Sequence, residues 1–349
     1  MINPAMLFKY KQHAWMLLLA ILCLFATVSC QHKDLCIHHP HEVTLRVEFD
    51  WRNDPDANPQ GMCVFFYPVE GGESIRFDFS GREGGNIELP VGLYNVLTYN
   101  NDTESILFGN GSFEKHRAYT REGNILEPVL GSSAGAPRAT GTEEEKVVIT
   151  PDMLWGCTSL NVEVTDTGIG YICIPEKDKD NYVQVDRQEH VITLYPCEKM
   201  CLYSYEIRNV KNLDMASQMC ASLSGMAGGM TLADEELFTR GVTLPLDANI
   251  QLDSAKITGI FYTFGHSLEN SAPHKMLLYV WMKSGDKFYF GEGNERFNVT
   301  SQIHNAPNKR RVHIIIDSLD LPKPMQNGSG FNPSVDDWDT LYEDIIVGY

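Results

Sequence analysis

The chain is short of positive charge. Lysine and arginine number 28 against 46 aspartates and glutamates, a formal net charge of -18. A surface of that sign repels phosphate backbones, so nucleic acid is excluded as a main partner. A membrane-length apolar run is missing at the N-terminus: residues 14–28 are apolar except Thr27, but that is 15 residues, and a spanning helix needs ~20. Clean helical periodicity is missing from every long segment. So are the HExxH, P-loop and dinucleotide fingerprints. Gly131-Ser-Ser-Ala-Gly135 has the form of a nucleophile elbow, but that motif needs a strand before it and a helix after it. Here it opens a small, polar, acidic stretch over residues 131–145 that reads as a flexible loop. Asp54, Asp56 and Asn58 start like a calcium loop, yet Pro59 stands where the turn glycine belongs and Phe65 where the bidentate glutamate belongs. No catalytic residue, cofactor or metal site is therefore predicted, and the chain does not read as an enzyme.

What is present begins at the N-terminus. Lys9 and Lys11, then the apolar run, then Thr27-Val28-Ser29-Cys30 follow the order of a secretory signal: positive, apolar, small. The last four residues resemble the lipobox of bacterial lipoproteins, with Thr27 where that group usually has leucine. The resemblance implies cleavage before Cys30 and acylation of Cys30, an anchor held by several buried chains at ~0.8 kcal/mol per methylene. Residues 1–29 are then the signal peptide and residues 30–41 a polar tether, in which His38, His39 and His41 are solvated rather than metal ligands. Losing Lys9 and Lys11 leaves a net charge of -20. Of nine cysteines, Cys23 leaves with the signal and Cys30 takes lipid, so an odd seven remain. Export permits disulfides, but sequence does not give the pairing, and buried free thiols are the equal alternative.

Beyond the tether the signals are those of strands. Val43, Leu45, Val47, Phe49 and Trp51 alternate with polar residues, a half-buried strand. Asp54 to Gly61 is a turn cluster. Further strands are predicted over 62–67, 75–79, 92–99, 146–150, 159–165, 190–195, 201–210, 257–264 and 311–317. Residues 276–282 and 287–290 form a hairpin across Ser284-Gly285-Asp286. Short strands divided by Gly, Asn and Asp indicate antiparallel sandwiches. The fold class is all-β, with two β-sandwich domains in tandem at 42–185 and 186–349.

Four phrases in order carry a family resemblance. Glu88-Leu-Pro-Val-Gly-Leu-Tyr-Asn-Val-Leu-Thr-Tyr-Asn100 is similar to a strand of transthyretin-like sandwiches. Asp152-Met-Leu-Trp-Gly156 is similar to the phrase that closes a fimbrillin N-terminal domain. Residues 190–210 resemble the opening strands of the C-terminal domain, and Ser224-Gly-Met-Ala-Gly-Gly229 a glycine-rich turn within it. Together with the lipobox, the chain resembles the fimbrillin-like lipoproteins of Bacteroidales, over most of residues 42–349. The resemblance implies two transthyretin-like, Greek-key sandwiches and a lipid-anchored protein of the outer membrane or cell surface, with a periplasmic orientation left open. It implies a subunit or accessory component of pili with a role in assembly or adhesion.

In that family a protease cuts after an arginine, an N-terminal strand leaves, and a neighbour's C-terminal strand fills the groove. Arg52 directly follows the first strand and is the candidate processing site. Leu341, Ile345, Val347 and Tyr349 share one face of the last segment, with Glu343 the exception, and form the candidate donor strand. Other fimbrillin-like subunits are then partners by β-strand exchange. Ser254, Ser318 and Thr340, each after an aspartate, resemble the Bacteroidales O-glycosylation acceptor. The alternative is a monomeric surface lipoprotein that binds a glycan or host protein through its sandwich loops, with strand aromatics such as Tyr203, Phe261, Tyr279 and Trp281 as stacking candidates.

Overall fold

The computed structural model describes residues 42–109, 111–130, 135–166, 168–173, 175–176, 179–182, 190–323 and 339–340. The lipidation candidate Cys30, the tether and the donor-strand candidates Leu341, Ile345, Val347 and Tyr349 lie outside them. The first strands are β1 (Glu42–Phe49), β2 (Gly61–Pro68), β3 (Ile75–Ser80), β4 (Gly85–Pro90), β5 (Gly92–Asn100), β6 (Ile106–Gly109), β7 (Arg117–Thr120) and β8 (Lys146–Val147). Next come β9 (Trp155–Thr165), β10 (Gly168–Cys173), β11 (Pro175–Glu176), β12 (Lys179–Tyr182), β13 (Val191–Leu194) and β14 (Cys197–Glu198). The remainder are β15 (Cys201–Lys211), β16 (Ala216–Ala227), β17 (Gly229–Thr231), β18 (Gly241–Asp247), β19 (Asn249–Gln251), β20 (Lys256–Thr263), β21 (Met276–Met282), β22 (Lys287–Phe290), β23 (Arg311–Asp320) and β24 (Asp339–Thr340). Helix among the described residues is confined to short pieces such as Glu127–Leu130 and Thr300–His304.

Two sandwiches result, each from two facing sheets. In the first, the sheet β13-β1-β4 packs on the sheet β10-β9-β5-β2-β3. Val43, Leu45 and Val47 from β1 meet Val64 and Phe66 from β2, with Ile192 and Leu194 from β13 beside them. In the second, the sheet β19-β20-β15-β23 packs on β24-β22-β21-β16-β18-β8 around Tyr203, Ile207, Leu223, Leu278 and Ile314. A topological rule repeats. The opening strand of each sandwich runs parallel to one late strand and antiparallel to its other neighbour: β1 between β13 and β4, β15 between β23 and β20.

Several strands are buried on both faces, which explains their reading in the sequence. β2 sends Met62, Val64 and Phe66 into the first core. Its other face, Cys63, Phe65 and Tyr67, lies under the small sheet β17-β7-β6 with Ile106, Ala118 and Met230. A strand covered on both sides needs no polar alternation. β16 and β21 behave alike: Cys220, Leu277, Tyr279 and Trp281 on their outer face are covered by Ile125, Leu126 and Ala139. The hairpin β21–β22 forms as expected, with Gly285 at φ +95° in its turn and Trp281 opposite Lys287.

Three expectations are displaced. The strands of the first sandwich run past the boundary at 185/186, because β13 pairs with β1 and β14 with β9. Residues 190–194 therefore do not open the second sandwich, which starts with β15. The glycine-rich stretch 224–229 is not a turn. Ser224 to Ala227 continue β16, with a register shift between Leu223 and Met226 that accommodates Gly225 at φ +78°. Residues 135–145 are docked rather than free: Tyr279 Oη donates to the Pro137 carbonyl at 2.7 Å, and Arg138 Nη2 donates to Thr243 Oγ1 of β18 at 3.1 Å.

Candidate functional site

The candidate site is the slot that β1 occupies. Residues 43 to 49 alternate apolar and polar, so the extended chain puts Val43, Leu45, Val47 and Phe49 on one face. All four are buried, Val47 completely. The backbone is bonded on both sides, from Arg46–Phe49 against Val191–Leu194 and from Glu42–Val47 against Gly85–Pro90. The Arg46 amide donates to the His190 carbonyl at 2.7 Å and the Asp50 amide to the Leu194 carbonyl at 2.8 Å. β1 is thus the middle strand of its sheet, and leaving it would open an apolar trough with two unpaired edges. Gly84 shapes that trough. It sits at φ +82°, and a Cβ there would stand 2.1 Å from the Val47 carbonyl oxygen.

Trp51 and Arg52 form the corner after the strand. The Trp51 indole donates to the Arg82 carbonyl at 2.9 Å and packs edge-on against Trp155, centroids 6.4 Å apart. Arg52 faces solvent, its side chain 65% exposed. Its Nε donates to Asp50 Oδ2 at 2.9 Å, its amide donates to Asp50 Oδ1 at 3.0 Å, and its guanidinium lies 4.7 Å from the centre of the Tyr195 ring. The Arg52 hydrogen bonds hold the Asp50 carboxyl below its ordinary value. The peptide after Arg52 therefore lies in an exposed turn, while the strand before it is buried.

The other expected residues are scattered. Ser254 is exposed in a 3-10 turn before β20. Ser318 is half-buried in β23 at φ +67°, its carbonyl accepting from Arg296 Nη1 at 3.1 Å. Thr340 pairs with Tyr289 as part of β24, parallel to β22, so the described start of the C-terminal segment lies against a sheet of its own chain. The aromatics proposed for stacking are core: Tyr203, Tyr205 and Tyr279 are 1% exposed or less, and Phe261, Phe264 and Trp281 are buried. Cys63, Cys157, Cys197, Cys201 and Cys220 are free thiols.

Two polar clusters had no sequence signal. His116 is fully buried, with Tyr67 Oη hydrogen-bonded to Nδ1 and Tyr99 Oη to Nε2, the latter at 3.0 Å. Desolvation, with Arg76 adding to it, pulls its pKa down to about 4. His266, His274 and His304 form the second cluster, from a loop, a strand approach and a helix end. Among the described residues no helix is long and apolar enough to cross a membrane.

Comparison with known proteins bears on this geometry. Residues 29–247 match the profile of a domain of unknown function, DUF5119. A Bacteroides ovatus protein named as a candidate fimbrium anchoring subunit, Fim4B, is 25% identical over 273 residues, 77% of this chain and 69% of its own length. The crystal structure of a candidate adhesin from Bacteroides ovatus superposes with a TM-score of 0.56 at 20% identity, covering 86% of this chain and 99% of that one. At that identity the likeness is one of fold, and it agrees with the tandem sandwiches described above. The profile spans well over half of the chain, so the chain belongs to the DUF5119 family.

Proposed function

We propose that this protein is a cell-surface lipoprotein that anchors a pilus, held by lipid on Cys30 and uncut at Arg52. The observation that carries the proposal is the position of β1. The covalent path from Cys30 to the body runs through β1, so cleavage after Arg52 would sever the lipid from both sandwiches. Lipid anchoring and release of β1 therefore exclude each other within one molecule. A subunit that keeps β1 has its own slot filled and cannot accept a neighbour's strand. Such a subunit ends a polymer on one side and sits at the membrane. The relative named for fimbrium anchoring supports this reading.

The exposure of Arg52 favours a processed form as the second state, in which the freed slot takes a donor strand from another subunit. The test is intact mass on protein from the native envelope, in membrane and pilus fractions. The anchor reading expects a lipidated Cys30 with the 52–53 bond whole, and release from the membrane by Cys30→Ala. A new N-terminus at Asn53 in assembled multimers would overturn it and establish strand exchange. The alternative of a monomer binding a glycan or host protein draws on one feature: Val69, Val91 and Leu93, each 37–45% exposed, sit at one end of the first sandwich. It expects a saturable ligand that Val69→Ser with Leu93→Ser weakens, and no multimers.

A further inference from the structure

Three imidazoles meet at one edge of the second sandwich. His266 lies in the loop after β20, His274 precedes β21, and His304 ends the helix Thr300–His304. Their ring centres are 4.9 to 5.3 Å apart. The Nε2 atoms of His274 and His304 are 3.1 Å from each other. His274 is completely buried and His266 is 7% exposed. His266 Nε2 is buried and has no hydrogen-bond partner. A buried polar atom left unpaired costs ~1–3 kcal/mol, so its retention calls for an explanation.

From this geometry we infer that His266, His274 and His304 bind one late first-row divalent cation, such as Zn²⁺ or Cu²⁺, through their Nε2 atoms. Imidazole nitrogens suit these ions. At metal–nitrogen distances of ~2.0–2.1 Å, tetrahedral ligands stand ~3.3–3.4 Å apart, close to the spacing already present between His274 and His304. The supporting contact is in place as well. His274 Nδ1 lies 3.1 Å from the Ser224 carbonyl, so it carries the proton and donates there, leaving the Nε2 lone pair facing His304. Donation of the other ring N–H to a carbonyl is what orients metal-binding histidines. Gly225 makes that approach possible, because a Cβ at 225 would stand 2.8 Å from His274 Nδ1.

The three donors are not already gathered around one point. Two are preset, and the third arrives by rotation of a ring. His266 is the third, and turns its unpartnered Nε2 toward the other two, while the exposed His304 is held by its hydrogen bond to His274 and its stacking on the His266 ring. An ion at this place replaces the His274–His304 hydrogen bond, gives His266 Nε2 a partner, and keeps its fourth position toward solvent beside His304. Lys309 Nζ, the nearby cation, is tied to the His304 carbonyl. The ion ties the loop after β20, the start of β21 and the helix end together across the edge of the sandwich.

The test uses the full mature chain with His38, His39 and His41 changed to alanine, so that the tether cannot bind. Zn²⁺ is titrated calorimetrically, and Cu²⁺ is followed by electron paramagnetic resonance. The expected result is one ion per chain, nitrogen hyperfine structure from the Cu²⁺ form, and a higher Tm in the presence of Zn²⁺. His304→Gln, at an exposed position that leaves the fold intact by circular dichroism, weakens binding tenfold or more, and His266→Gln does the same. Absence of stoichiometric binding, or binding that His304→Gln leaves unchanged, overturns the inference.

Discussion

Lowering the pH from 6.5 to 4.5 loads a proton on the unfolded chain that the folded chain resists at His116. The folded pKa is about 4, against ~6.5 for a free imidazole. Because the folded value is depressed, the unfolded state binds more protons between the two values, so stability is greatest above pH 6.5 and falls as the pH drops toward 4. The full difference is worth about 3 kcal/mol at 1.36 kcal/mol per pH unit of separation. About 2 kcal/mol of it is lost between pH 6.5 and 4.5. The cost has a structural cause: both ring nitrogens face tyrosine hydroxyls in a fully buried site, so a charge there has neither water nor a carboxylate. Gln at 116 keeps one donor and one acceptor but does not titrate. Urea unfolding followed by tryptophan fluorescence, at both pH values, gives the stability of wild type and His116→Gln. The wild type is expected to lose about 2 kcal/mol more than the variant over this interval. Equal losses in the two proteins would refute the assignment.

Other expectations follow from the slot and the thiols. Leu45→Ala, at a position 1% exposed in the middle of β1, is expected to cost about 2–5 kcal/mol by equilibrium unfolding. Gly84→Ala meets both a left-handed φ and a backbone oxygen at 2.1 Å. It is expected to lower the Tm more than Gly81→Ala, which shares the positive φ but meets nothing within 4 Å. Burial pushes the thiols of Cys63 and Cys220 up to about 12. Iodoacetamide at pH 8 should therefore leave their peptides unmodified in the native protein and alkylate them in urea, as read by mass spectrometry.

How much of this could be read from the chain depends on whether one surface or two were covered. β1 announces itself because only one of its faces is buried, and period-two alternation records that burial residue by residue. β16 does not. Met219, Cys220, Ala221, Ser222, Leu223 and Ser224 are all buried, and a strand sandwiched on both faces by small residues carries no period. Its glycines then read as a turn, although Gly225 serves to let His274 close on the backbone. The segment 135–145 fails for a related reason. Composition measures how freely a backbone can move, and this one is small and polar, but Arg138, through Thr243, and the Tyr279 hydroxyl pin it over the sheet. The boundary at 185/186 assumed that strands belong to the domain in which they occur along the chain, whereas β13 closes the sheet opened by β1, over 140 residues earlier. Both histidine clusters take that separation further. Tyr67, Tyr99 and His116 come from three strands or their flanks, and His266, His274 and His304 from three separate elements, so no local window contains either set. The slot was legible because a strand's own sequence records which face is dry. The clusters were not, because only the fold decides which distant side chains share a surface.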